Sequence, residues 1–507
     1  MQPRHKLHVG IGGNKMPATT VILLGLFTVL RLGLVVGRSS LPSSITDVLY
    51  SPALASALIN PLYTVEHLRE GIFLLDRPRR VGTGLDAAYE GSVFHLSPII
   101  LALFRPLFQA IESKIIQEIA VGTILVVVDL VVAMLIYHVA ALATCGGDAK
   151  TEREAEMELK MDDKIRPKRA WIFGLDTWSQ KASIGDKVQE SVVHVANIPQ
   201  LCCLMYYCNP IAILVSSCTS SPSFQAIINM FILTAVRISM ANNAASAKWK
   251  VPLSTFSLAL AAYIEPYHVV YLIPMAIWIG RSNEGSQLKK GIVGAAIASF
   301  CVWFILLHIS SALLVEDYAT VLAKTYGHVN GFVDVSPNMG LSWYFFIQMF
   351  DRFRRYFVAM FNLLQFIFVA PLTMRLHNYP IVLTTAFFLL GTLFKPVQTL
   401  YDAALGLALV VMAPRTVSRM GKASLVSIFA IVVPATLVVM FYWLWLETGT
   451  GNANYMFFQC LAYNVFLSII TLDYISASVK RDKAKRLTEK LALQQGEAAN
   501  ISKDKSD

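Results

Sequence analysis

The chain is short of charge. Of 507 residues only 15% are Asp, Glu, Lys or Arg, while 55% are hydrophobic. A water-soluble chain carries about 25% charged residues, and mean hydropathy here is positive. A soluble globular protein is therefore excluded. Sustained apolar–polar alternation is missing too, which excludes a transmembrane β-barrel. The seven cysteines, at 145, 202, 203, 208, 218, 301 and 460, are odd in number, and none is spaced C-x-x-C. Neither a disulfide framework nor a zinc site is expected, and most of these thiols fall in apolar segments as inert packing groups. There is no G-x-S-x-G, no H-E-x-x-H and no glycine-rich phosphate loop ending in Lys-Ser/Thr.

What the chain does have is apolar sequence in runs long enough to cross a bilayer, so the expected class is an all-α polytopic membrane protein. Twelve candidate spans are read at about 18–37, 118–142, 195–217, 223–240, 252–265, 267–280, 291–314, 356–374, 379–394, 397–414, 424–446 and 455–477. The fifth and sixth, separated by Glu265-Pro266, form either a tight hairpin or one kinked element. The first follows Arg4, His5, Lys6 and Lys15. It reads as a span or signal anchor rather than a cleaved signal, whose apolar core is shorter.

Net charge is +10, but the basic residues sit at span ends rather than on one face. That pattern signals orientation, not nucleic-acid binding. With the N-terminus in the cytosol, the connections at 144–194, 237–250, 281–290, 375–379 and 415–422 and the tail from Lys480 are cytosolic, and nearly all are basic. The alternation requires Leu96 to Ala110 to lie in-plane or re-entrant. The organisation is then 1–143 with the first span and large lumenal loop, a polar cytosolic insert 144–194, a membrane core 195–479 and a basic tail 480–507. The start of that tail would meet anionic headgroups.

The polar residues that interrupt the apolar pattern collect on the lumenal side. Glu265 and Lys395 each break apolar sequence and each precede a proline, a combination that marks a cavity-lining bend. Asp351 and Arg354 lie in Ser336–Phe357, where eight aromatics stand among charges; this stretch reads as an interfacial lumenal helix. The first lumenal loop contains Asp47, Asp76, Asp86 and Glu90 but no D-x-D or D-x-E pair, which weakens a metal-dependent glycosyltransferase reading. Cys218 is the one cysteine placed for a lumenal nucleophile, and nothing near it looks like a base with an orienting partner.

Several segments resemble the PIG-U family, a membrane subunit of the GPI transamidase, in the same order. They are EGIFLLD (Glu70–Asp76), YEGSVFHLSPIILALF (Tyr89–Phe104), Asn209-Pro210, GLSWYFF with FDRFRRYF, FKPVQTLYDAALGLAL (Phe394–Leu409), GNANYMFF (Gly451–Phe458) and Asp473-Tyr474. The resemblance implies a GT-C-like protein of the endoplasmic reticulum membrane that no longer transfers sugar. Its implied partners are a caspase-like catalytic subunit and the other transamidase subunits. It would have no cofactor, and would bind or present the GPI lipid.

Residue by residue, the family's N-x-N corresponds to Asn452 and Asn454, followed here by Phe457 and Phe458 rather than by a directly adjoining aromatic pair. Such neutral amides donate to phosphate and accept from sugar hydroxyls. F-H-x-x-P corresponds to Phe94, His95 and Pro98, with His95 either bonding a phosphate or pinning the loop. Asp351 and Arg354 match as well: an Arg fork suits phosphate, and a structural Asp351–Arg355 pair competes with that role. Lys395 and Glu265 complete the candidate set. The alternatives are an active GT-C-type glycosyltransferase using a dolichol-phosphate sugar, with Asp76 or Glu90 as base, and a transporter built on the breaks at Glu265 and Lys395.

Overall fold

A computed structural model describes residues 16–37, 42, 46–47, 49, 51–76, 84–91, 94–145, 198–217, 223–241, 247–281, 288–331 and 336–504. Apart from its first two residues, the polar insert expected at 144–194 lies outside the described residues, as does Cys218. The described chain is a bundle of helices with no strand, only two isolated bridges. Many of these helices are rich in Val and Ile, which favour strands in water. In hydrocarbon every backbone N–H and C=O must be satisfied within its own segment, and that requirement overrides propensity.

In chain order the main described helices are α1 (Ala18–Val36), α2 (Val65–Asp76), α3 (Pro98–Ala110), α4 (Lys114–Cys145), α5 (Ile198–Tyr207), α6 (Pro210–Ser217), α7 (Gln225–Met240), α8 (Ala247–Ile264), α9 (Leu272–Gly280), α10 (Lys290–Ala312), α11 (Tyr318–Gly331), α12 (Ser342–Gln348), α13 (Asp351–Ile367), α14 (Val369–Leu376), α15 (Pro380–Phe394), α16 (Leu400–Val410), α17 (Lys422–Ala430), α18 (Val432–Tyr442) and α19 (Ala453–Asp504), with short helical turns at Pro52–Leu58 and Pro414–Val417 besides. Among the described residues, six helical stretches are long and apolar enough to cross a membrane: α1, α4, α10, α13–α14, α17 through Glu447, and Ala453–Lys483 of α19. A seventh is formed if α5 and α6, bent by 49° at Asn209-Pro210, count as one. The other expected spans correspond to shorter or less apolar helices. At 1.5 Å per residue α15 is roughly 22 Å long and α16 roughly 16 Å, short of a hydrocarbon layer of about 30 Å. The stretch from Leu96 contains α3, 13 residues with Pro106 inside it.

The break at Glu265-Pro266 is a hairpin. Thr255 pairs with Ser299 (2.8 Å) and Tyr263 with Ser311, so α8 and α10 run side by side in the same direction. α9 must then return to the end where α10 begins, and Lys289 N donates to Gly280 O at 3.0 Å. A residue before proline is driven to extended backbone. Glu265 (φ −135°, ψ 107°) and Lys395 (φ −60°, ψ 142°) both obey this.

Connections between loops sort to two opposite ends of the bundle. One end gathers 62–76, 84–91, 94–97, 223–224, 265, 315–331, 336–350, 395–398 and 447–454. The bonds there include His95 to Lys324 O, Asp86 to Glu316 N, Phe224 N to Tyr63 O, Ser342 to Pro396 O and Tyr344 to Asn454. The other end gathers 281, 378, 421, 473 and 482.

One expectation needs correction. Ser336–Phe357 is not one interfacial helix. α12 ends at Gln348, Met349 turns extended, and α13 starts at Asp351, so FDRFRRYF opens the span-length stretch Asp351–Leu376. The chain past Lys480 continues α19 as helix to Asp504.

Candidate functional site

The end holding 265, 395 and 452 carries most of the residues singled out above, in three separate places.

The first is the junction of α12 with the start of α19. α18 ends in a π-turn at Trp443–Glu447, and its open carbonyls are closed by the following loop: Thr448 N donates to Trp443 O (3.0 Å), and Gly451 N to Leu444 O (2.8 Å). Two glycines make this return possible. Gly449 has φ +68°, and a Cβ on Gly451 would stand 2.9 Å from the backbone of Leu444 and Trp445. Asn452 then caps α19, its Oδ1 accepting from Asn454 N at 3.0 Å. Such a cap satisfies one of the orphan donors of a helix start. Asn454 Oδ1 accepts from Tyr344 Oη at 2.6 Å. Beneath the amides lies an aromatic layer: Tyr344 stacks on Phe457 at 4.0 Å, Phe345 meets Phe457 edge-on at 5.9 Å, and buried Trp343 stacks on Trp445 at 5.9 Å. Asn452, Asn454, Tyr455 and Phe458 are exposed. Among the described residues neither Asn452 Nδ2 nor Asn454 Nδ2 has a protein partner. The junction therefore presents two amide donors beside aromatic faces.

The second place is the F-H-x-x-P loop. Phe94 is fully buried, packed on Tyr89 at 5.0 Å and on Gly71 so closely that a Cβ there would lie 2.7 Å from its ring. Phe94 is core and offers no surface to a ligand. The Gly of E-G-I-F-L-L-D is thereby explained, since it makes room for that ring. His95 Nδ1 donates to Lys324 O at 2.8 Å and so pins the loop to α11. His95, Tyr63, Ser97, Tyr263 and Tyr326 border a cleft with about 10 Å³ open to water, room for about one water molecule. Asp86 accepts from both Glu316 N (2.7 Å) and Asp317 N (3.0 Å), and Asp76 sits 3.6 Å from Arg105.

The third place joins the two proline breaks. Lys395 Nζ lies 3.1 Å from Glu265 and 3.5 Å from Asp402; His268 Nε2 lies 2.7 Å from Glu265 Oε2. All four side chains are buried. Glu265 and Lys395 thus face each other across 130 residues, and each charge is spent on the other. Asp351 pairs with Arg354 at 2.5 Å rather than with Arg355, and it is 87% exposed. The i,i+3 contact is as short a reach along a helix as i,i+4.

The most deeply buried charges were not among the expected residues and do not lie with the other polar interruptions. Arg31 of α1 and Asp129 of α4 form an ion pair in the interior of two span-length helices. Arg31 also donates to Ser216 Oγ (2.9 Å) and to Tyr207 O (2.6 Å), and lies 4.0 Å from the Tyr207 ring centroid. Asp129 Oδ1 accepts from Tyr206 and from Tyr401 (2.8 Å), and the two phenols meet at 2.5 Å. Tyr207 precedes the 49° bend at Asn209-Pro210. Arg31 takes up a carbonyl at that break, as a helix interrupted in hydrocarbon requires. A lone Arg and a lone Asp, each in an otherwise uncharged apolar run, were the available signal.

No group of His, Cys, Asp and Glu that could hold a metal occurs among the described residues. Compared with known proteins, residues 28–463 match the family model for the GPI transamidase subunit PIG-U. The chain belongs to the PIG-U family. Among relatives, the GPI-anchor transamidase component PIGU of Homo sapiens is 23% identical over 482 residues, 92% of this chain and 95% of the human protein. That of Cricetulus griseus is 24% identical over 440 residues, covering 84% and 87%. The GPI transamidase component GAB1 of Saccharomyces cerevisiae is 31% identical over 273 residues, covering 53% and 64%.

Proposed function

We propose that this chain is a non-catalytic membrane subunit of the GPI transamidase complex in the endoplasmic reticulum, and that it holds the GPI lipid at the lumenal junction of α12 and α19. The observation that carries the reading is the exposed Asn452–Asn454 pair, set over the Tyr344–Phe457 stack with both amide nitrogens free of protein partners. Neutral amides bind phosphate oxygens and sugar hydroxyls without the cost of desolvating a charge, and aromatic faces suit the apolar faces of sugar rings.

The remaining candidates frame this site. His95 fixes the first lumenal loop, Asp351 and Arg354 set the start of α13, and Glu265 with Lys395 ties two breaks beneath it. Asp86 spends both oxygens on backbone N–H groups, which favours a structural role over that of a base. In this reading the shorter helices complete a twelve-span, GT-C-like bundle, and the partners are the caspase-like protease and the other subunits. The test replaces Asn452 and Asn454 together with Ala. Co-purification with the protease subunit should persist while attachment of GPI to reporter proteins falls. Wild-type levels of anchored reporter would sink the assignment.

A further inference from the structure

The opposite end of the bundle holds a second built feature, independent of the GPI reading. Three apolar stretches finish there together. Arg281 follows the last residue of α9, Arg375 lies in the last turn of Asp351–Leu376, and Arg481 lies where α19 leaves the apolar stretch that ends at Lys483. Arg486 follows one turn later. Side-chain contacts bring all four around the turn between α14 and α15. Arg281 donates to Asn378 O and to Asn378 Oδ1, both at 2.8 Å. Arg481 lies 4.8 Å from the Tyr379 ring centroid. Arg375 and Arg486 share Asp482, at 3.6 and 3.0 Å, and that carboxylate is buried. Arg375 and Arg486 therefore share one carboxylate, while Arg281 and Arg481 are held by the adjoining Asn378 and Tyr379.

Basic residues at span ends are ordinary orientation signals, and such residues usually extend freely into water. These differ in being positioned. Arg281 is gripped by both oxygens of one asparagine, and Arg481 rests on an aromatic face. Met374, beside Arg375, is 78% exposed, which puts hydrocarbon-compatible surface next to the cationic groups. Guanidinium forks fixed at the boundary between apolar and polar surface match a phosphate ester with acyl chains attached. We propose that Arg281, Arg375, Arg481 and Arg486 form a binding site for the phosphate of an anionic glycerophospholipid in the leaflet on that side. Asn378 and Tyr379 act as positioning residues.

The experiment uses the full chain with its co-purifying subunits in nanodiscs containing phosphatidylserine and phosphatidylcholine, with bound lipid counted by native mass spectrometry. Phosphatidylserine should be retained in preference. Arg281→Gln with Arg375→Gln should lower its retention about thirty-fold, two cations near an anionic surface being removed. If that variant does not fold, two others carry the test. Arg281→Lys with Arg375→Lys keeps the charge and should retain the lipid partly. Asn378→Ala keeps net charge yet should lower retention several-fold. Equal retention of the two lipids by the wild type would overturn the proposal. So would an Asn378→Ala variant indistinguishable from wild type, because diffuse charge alone would then suffice. Displacement of the lipid by inorganic phosphate would likewise overturn it, assigning the arginines to a soluble anion instead.

Discussion

Removing the Arg31 guanidinium should be among the most damaging single changes in this protein. Arg31→Leu deletes the ion pair to Asp129, the bonds to Ser216 Oγ and Tyr207 O, and the contact with the Tyr207 ring. Asp129, whose side chain is 1% exposed, keeps only two phenol donors for a charge it must then lose or bear alone. Breaking a buried pair from one side costs about 3–5 kcal/mol, and the orphaned Tyr207 carbonyl adds about 1–3 kcal/mol. Asp129→Leu should cost a similar amount for the converse reason. The double replacement should cost much less than the sum. It leaves no buried charge, and one of Tyr206 and Tyr401 can donate to the other at 2.5 Å. Equilibrium unfolding of the solubilised protein in a double-mutant cycle measures the coupling. A loss below about 1 kcal/mol for Arg31→Leu, or strict additivity of the two changes, would refute the picture of α1 anchored through this pair.

Lys395→Met should also destabilise by about 3–5 kcal/mol, since it leaves Glu265 and Asp402 facing each other without their cation; adding Glu265→Gln should recover part of the loss, read as folded yield by size-exclusion chromatography. Gly451→Ala forces a Cβ against rigid backbone 2.9 Å away, so it should displace the Asn452 cap and lower GPI attachment while expression holds. Gly449→Ala, which only strains a positive φ, should cost about 1–2 kcal/mol and reduce attachment less, as measured by surface levels of an anchored reporter.

The sequence exposed some of this arrangement and hid the rest for identifiable reasons. Glu265 and Lys395 stood out because a charge before proline inside apolar sequence has few innocent explanations. Their pairing, and the contributions of His268 and Asp402, needed three dimensions. Arg31 and Asp129 were equally conspicuous in type. Window-averaged hydropathy, however, dilutes one charge among some twenty apolar residues, and Tyr206 and Tyr401 pass for apolar. The Ser336–Phe357 stretch misled because its aromatics and charges form one continuous pattern, while the break at Met349–Phe350 carries no proline or glycine. Short helices such as α16 look like spans in sequence because apolar residues continue past their ends into buried turns. The Asn452–Asn454 turn was legible as a motif. What the sequence did not disclose was Tyr344, whose hydroxyl and ring join that motif to a segment more than a hundred residues earlier.

The two buried ion pairs also impose a timetable. Asp129 follows Arg31 by 98 residues, and Lys395 follows Glu265 by 130. At about 5–20 residues per second, a ribosome delivers the second member roughly 5–20 s after the first in one case and roughly 7–26 s in the other. Throughout the first interval Arg31 is made but has no mate, and a charge within the bilayer costs about 2.5–3.5 kcal/mol on insertion scales; Glu265, at the loop end of the bundle, has His268 beside it until Lys395 arrives. The Arg31 segment should therefore wait where water or an insertion factor still reaches it. A ribosomal pause between the two members would prolong that exposure without altering a single residue of the finished protein.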